Sequence, residues 1–122
     1  MKAALIPLVL GAVACGGTAV PTSEVADTEA AIRSAQEVGA RNVPQAALHL
    51  EYAQQHMTKA KEYMSEEEGE PALRALDKAE ADANLALEMA RSAQARTEAQ
   101  EALREVNELR KNASVYSRIG DS

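Results

Sequence analysis

Among the chain's reactive side chains, Cys15 has the surroundings that define a chemistry. Met1 and Lys2 are followed by a short apolar run through Leu10, then by the small residues Gly11-Ala12-Val13-Ala14, and then by the cysteine. One basic residue, a short apolar run and a small-residue stretch make the order of a bacterial export signal. The run falls far short of the ~20 apolar residues that cross a bilayer. An ordinary secretory leader ends in a small-residue cleavage site. Here a cysteine stands in that place. The expectation is a signal peptide over residues 1–14, cleavage between Ala14 and Cys15, and fatty acyl chains such as palmitate on Cys15. With one cysteine in the chain, an intramolecular disulfide is excluded.

The remaining candidates for chemistry are weaker. His49 and His56 share a helix face but stand two turns apart, ~10 Å along the axis. A single metal ion needs ligands about one turn apart, as in an i, i+4 pair. They read as flank positions beside an apolar stripe. Glu66, Glu67, Glu68 and Glu70 form an acidic turn without the Asp-x-Asp-x-Asp-Gly order of a calcium loop. Serines and threonines lack a Gly-x-Ser-x-Gly setting, and no phosphate loop or dinucleotide fingerprint occurs. Tyr52, Tyr63 and Tyr116 are too dispersed to form an aromatic platform. Met57, Met64 and Met89 have helix-packing spacing. No catalytic, cofactor-binding or metal residue is assigned, and no enzyme, cofactor or small-molecule substrate is expected.

The elements that carry these residues follow from composition. The chain has 122 residues, of which 26 are alanine, with no Trp or Phe. Alanine favours helix strongly but buries little area. The chain is acidic, with 13 Lys and Arg against 19 Asp and Glu, and lacks the basic stripe of a nucleic-acid binder. Such a surface gains nothing from anionic lipid headgroups, so membrane contact is assigned to the acyl chains.

Residues 15–22 are small and breaker-rich, the lipidated N-terminus and a short tether. A helical domain over residues 23–113 follows, with Ser23 as the N-cap of a helix over 24–38. Val25, Thr28, Ile32, Ala35 and Gly39 make its narrow stripe, and Gly39 is its stop. A second helix over 44–65 carries Ala46, Leu50, Ala53, Met57, Ala60 and Met64 in alternating steps of four and three. That is the pattern of helices packing at a shallow angle. Gly69, Glu70 and Pro71 signal a turn into a third helix over 71–112. Its first half places Ala72, Leu76, Ala79, Ala83, Ala86, Ala90 and Ala93 in heptad steps. Near residues 95–97 the phase shifts to Ala99, Ala102, Val106, Leu109 and Ala113. Glu70/Arg74, Lys78/Asp82 and Arg104/Glu108 are spaced as intrahelical pairs. Residues 114–122 lose the pattern and read as a flexible tail. The fold class is all-α. It is a slender antiparallel hairpin or three-helix bundle with one long alanine-rich C-terminal helix and coiled-coil-like packing.

Two resemblances extend this reading. Ala31, Ala35, Ala40, Pro44, Leu50, Ala53, Met57 and Ala60, followed by the tract from Ala75 to Ala90, are similar to the domain-of-unknown-function 4398 family. The likeness covers about residues 26–95, with Val43 in place of the usual alanine before the proline. It implies an exported, often lipidated helical domain and supplies no catalytic residues. The leader resembles those of Gram-negative lipoproteins, with Gly16 rather than the aspartate of inner-membrane retention. That implies an outer-membrane anchor facing the periplasm. The expected function is a membrane-anchored bacterial envelope lipoprotein acting as a structural or interaction module. Its partners are the lipid bilayer through acylated Cys15 and, by helix–helix contact, its own copy or an envelope protein. The alternative is a peptidoglycan- or cell-wall-binding lipoprotein, with Arg91, Arg96 and Arg104 pairing with wall carboxylates.

Overall fold

The structure, a computed structural model, describes residues 18–120. The signal peptide expected over 1–14, its cleavage site at Ala14, and Cys15 lie outside the described residues. Among the described residues, three α-helices follow in chain order: α1, Thr22–Glu37; α2, Pro44–Ser65; and α3, Gly69–Gly120. A 3-10 turn, Ala40–Asn42, joins the first two. There is no strand among the described residues. The expected all-α class and the long C-terminal helix are both found.

The boundaries have local causes. Ser23 does not cap α1: the helix already includes Thr22, and Pro21 precedes it with no side-chain cap. At the other end, Gly39 takes φ 86°, the left-handed conformation that glycine adopts without penalty. Its N–H donates to the Gln36 carbonyl at 3.0 Å and closes the helix. Pro44 is the first residue of α2, where its missing N–H leaves nothing unsatisfied.

The turn into α3 differs from its sequence signal. Glu67, not Gly69, holds the left-handed position, with φ 59°. The Glu68 N–H reaches the Tyr63 carbonyl at 2.8 Å and the Glu67 N–H reaches that of Met64 at 3.2 Å, a Schellman closure. Gly69 is buried at the start of α3, against the backbone of Thr18, and a Cβ there would run into the Thr18 carbonyl oxygen. Glycine is needed here for close approach. The described part of the expected tether is therefore seated on the bundle, with Val20 packed against the core.

α3 is the helix on which both others pack, and α1 and α2 touch each other much less. Of the α2 stripe, Ala46, Leu50, Ala53, Met57 and Ala60 are buried, while Met64 at its end is exposed. Thr28, Ile32 and Ala35 are the buried residues of α1. Facing them on α3 are Ala72, Leu76, Ala79, Ala83, Ala86, Leu87 and Ala90. Ala35, Ala46, Ala53, Ala60, Ala79, Ala83 and Ala86 have no exposed surface at all. Thr28 satisfies its buried hydroxyl by donating to the Glu24 carbonyl at 2.8 Å.

α3 has 52 residues and α2 has 22, about 78 Å against about 33 Å of helix. The packed segment ends near Ala93, and every residue from Gln94 to Ile119 is exposed. The helix also passes the expected end at 112. Residues 114–120, anticipated as a tail, continue it to Gly120. Close alanine packing predicts opposite responses along α3. Ala83→Leu overfills the interface and lowers unfolding free energy by about 1–3 kcal/mol, whereas Ala102→Leu on the uncovered part costs less than about 0.5 kcal/mol. Urea denaturation of the two variants measures the difference.

Candidate functional site: an uncovered helical arm

Beyond Ala93, α3 is a bare arm of roughly 40 Å. The bundle supplies its nucleus, so each further residue adds a hydrogen bond without the nucleation cost that makes isolated helices marginal. Ala, Glu, Gln, Arg and Leu dominate from Gln94 to Leu109, and these propagate helix well. Asn112, Ser114, Val115, Tyr116 and Ser117 are poorer formers. Ser114 and Ser117 return hydroxyl bonds to the carbonyls of Lys111 and Ser114, at 2.7 and 3.0 Å.

The arm exposes large apolar side chains. Leu103 and Leu109 are 64% and 61% exposed and Tyr116 is 76% exposed, with Val106 and Val115 also open. Ala99, Ala102, Val106, Leu109 and Ala113, the second heptad phase of the sequence, all lie on this arm. The phase shift therefore coincides with the place where α3 leaves its own bundle. The topology also fixes the ends. The chain enters α1 beside the α2–α3 turn, through the Thr18–Gly69 contact, and the arm leaves by the opposite end.

The histidines sit where their spacing puts them, on the flank of α2, and α3 places Asp82 between them. The Nδ1 of His49 donates to Asp82 Oδ1 at 2.9 Å, and the Nε2 of His56 lies 3.6 Å from Oδ2. The His49 ring also meets Tyr52 edge-on, with centroids 6.0 Å apart. Asp82 was expected to pair with Lys78, along its own helix, and instead turns toward α2. The aspartate links α2 to α3. Among the described residues, no group of three or more His, Cys, Asp or Glu side chains is arranged to hold a metal. Glu66, Glu67 and Glu68 are exposed in the α2–α3 turn.

Of the expected intrahelical pairs, Glu70–Arg74 forms at 3.5 Å, and Arg104–Glu108 is not formed among the described residues. Arg91, Arg96 and Arg104 do not share a surface. At 100° per residue, Arg96 is rotated about 140° from Arg91 and Arg104 a further ~80°. Arg91 is already paired with Glu88 at 2.9 Å. A second contact between helices joins Lys61 of α2 to Glu29 of α1 at 2.9 Å. The Lys61 ammonium, by hydrogen bond and by charge, holds the Glu29 carboxyl below the usual glutamate range. On α2 itself, Glu62 raises the Lys59 ammonium, which also lies 5.1 Å from the Tyr63 ring centroid. No helix among the described residues is long and apolar enough to cross a membrane.

An alanine-packed three-helix unit with a projecting helix is thus the class of protein in hand. Over residues 23–102 the chain matches the family described as Domain of unknown function (DUF4398), and it belongs to that family. The match begins at α1 and takes in the start of the arm. Neither the search of curated proteins nor that of solved structures finds a match.

Two predictions follow from the contacts between helices. Asp82→Ala removes the His49 bond and lowers unfolding free energy by about 0.5–1.5 kcal/mol. The same substitution in a His49→Ala, His56→Ala background costs markedly less, and a double-mutant cycle by chemical denaturation reads the coupling. Glu29 titrates in NMR below an ordinary glutamate, and Lys61→Gln returns it upward. Because the folded-state value is depressed, the clasp stabilises the fold above the unfolded value and is lost as pH falls through the folded one.

Proposed function

We propose that this chain is a lipid-anchored bacterial envelope protein whose arm is an interaction element. The uncovered apolar seam of the arm, on a helix about 45 Å longer than α2, is the observation that carries this reading. Scattered exposed apolar residues need no explanation in a soluble protein. A row at heptad spacing along one helix is a surface suited to another helix. The leader-like stretch before Cys15 supports the anchor, and Gly16 supports an outer-membrane position facing the periplasm.

The topology gives these two parts a working relation. The chain reaches α1 through Thr18, which lies against Gly69 at the α2–α3 turn, so an anchor at Cys15, three residues earlier in sequence, would be tied to that end of the bundle. The arm leaves from the other end, and its tip lies up to about 78 Å from Gly69. Acylation would thus hold the bundle near the bilayer and present the seam at a distance from it. The alanine-packed bundle acts as the rigid base of the arm. This makes the protein a spacer with a helix-binding tip.

Replacing Cys15 with Ser tests the anchor. Labelling by a fatty-acid probe is expected to disappear, with the helical circular dichroism signal unchanged. Persistent labelling would contradict the assignment of Cys15. Crosslinking in cells tests the arm. Partners joined through residues 99–116 are expected, and a strictly monomeric chain with no crosslinked product would contradict the interaction role.

A further inference from the structure

Along the arm, Ala95, Ala102, Leu109 and Tyr116 recur every seven residues, and Ala99, Val106 and Ala113 interleave with them at steps of three and four. At 100° per residue this seam lies about 140° around α3 from the ridge that packs on α1 and α2. The two surfaces therefore look in largely opposite directions. A helix laid along the seam has the chain's own bundle behind it.

The flanks of the seam carry opposite charge. Glu98, Glu105 and Asn112 line one side; Arg96, Leu103, Arg110 and Ser117 line the other. Glu105 and Arg110 form no ion pair among the described residues. Neither has an opposite charge three or four residues away on its own helix. In a parallel two-stranded coil, one flank of each helix meets the opposite flank of its mate five residues further on. Glu105 then faces Arg110 of the second copy, twice by symmetry, and Asn112 faces Ser117. An antiparallel coil sets like flanks together, Glu105 against Glu105. One heptad earlier, the parallel rule sets Glu98 against Leu103, and two heptads earlier it sets Arg91 against Arg96, but Arg91 is held by Glu88 of its own chain at 2.9 Å.

We propose that the arm pairs with the arm of a second copy of this chain, parallel and in register, through Ala99, Ala102, Val106, Leu109, Ala113 and Tyr116. The inference rests on the reading of the arm as an interaction element and names its partner. Parallel pairing places both N-terminal ends on the same side, so two anchors enter one membrane. The small residues at 99, 102 and 113 make the contact weak in dilute solution, and a shared membrane raises its effective concentration.

Disulfide trapping of the full chain in the producing cell tests this. Ala99→Cys, Ala113→Cys and Arg104→Cys are each introduced beside the native Cys15, and the unsubstituted chain gives the background. After mild oxidation with diamide, Ala99→Cys and Ala113→Cys each give the disulfide-linked dimer, while Arg104→Cys, on the outer face, stays at background. Glu105→Lys or Arg110→Glu in the Ala113→Cys chain lowers the dimer by about two- to fivefold, and the two together restore it. Linkage only between co-expressed Ala99→Cys and Ala113→Cys chains would overturn the parallel arrangement. A disulfide from the arm to another envelope protein, with no self-linkage, would overturn self-pairing. That outcome leaves the interaction reading intact. Absence of every crosslink would overturn both.

Discussion

Close contact between alanines on α3 and those on α1 and α2 sets the shape of this protein. Ala79, Ala83 and Ala86 have no exposed surface, and neither do Ala35, Ala46, Ala53 and Ala60 opposite them. With no side chain beyond Cβ, helix axes can approach closely, and the interface tolerates little added volume. Each buried methyl contributes only on the order of 0.8 kcal/mol. The bundle is held by many small contacts, supplemented by a few larger residues such as Leu50, Leu76 and Ile32. Contacts between helices at His49–Asp82 and Lys61–Glu29 are placed around that ridge and depend on its spacing.

The same ridge explains the arm. Alanine packing can continue only while α1 and α2 lie alongside, and both stop covering α3 near Ala93. Beyond that point the chain keeps heptad spacing, with an apolar row from Ala95 to Tyr116 on another face of the helix, while Val115 and Ile119 return to the first face. A helix that merely overran its bundle would have no reason to renew the pattern there. The renewed pattern, together with Glu105 and Arg110, which form no ion pair among the described residues, is what the proposed interaction role rests on.

Much of this was legible in the sequence where one helix face decided the outcome. The alternating steps from Ala46 to Ala60 specify both the extent of α2 and its buried side. The phase shift near residue 95 marks where α3 leaves the bundle. Features that need two distant segments were not legible. Asp82 has a lysine four residues before it, and nothing local says that it turns instead to a histidine 33 residues earlier. Gly69 beside Glu70-Pro71 has the signature of a turn glycine, whereas its role depends on the backbone of Thr18. The left-handed residue is Glu67, set by the Schellman closure of α2 against its own local preference. Residues 114–120 look irregular by apolar pattern, yet the helix before them extends through them.

Amide hydrogen exchange along α3 tests the central claim that the arm is a surface built to be covered. In dilute solution, amides from Gln94 to Tyr116 are expected to exchange far faster than those from Ala72 to Ala90. When the chain is concentrated or held on vesicles through an acylated Cys15, protection should rise over residues 99–116 and leave the bundle unchanged. Rapid exchange over those residues under every condition, or protection equal to the bundle's in dilute monomer, would contradict it.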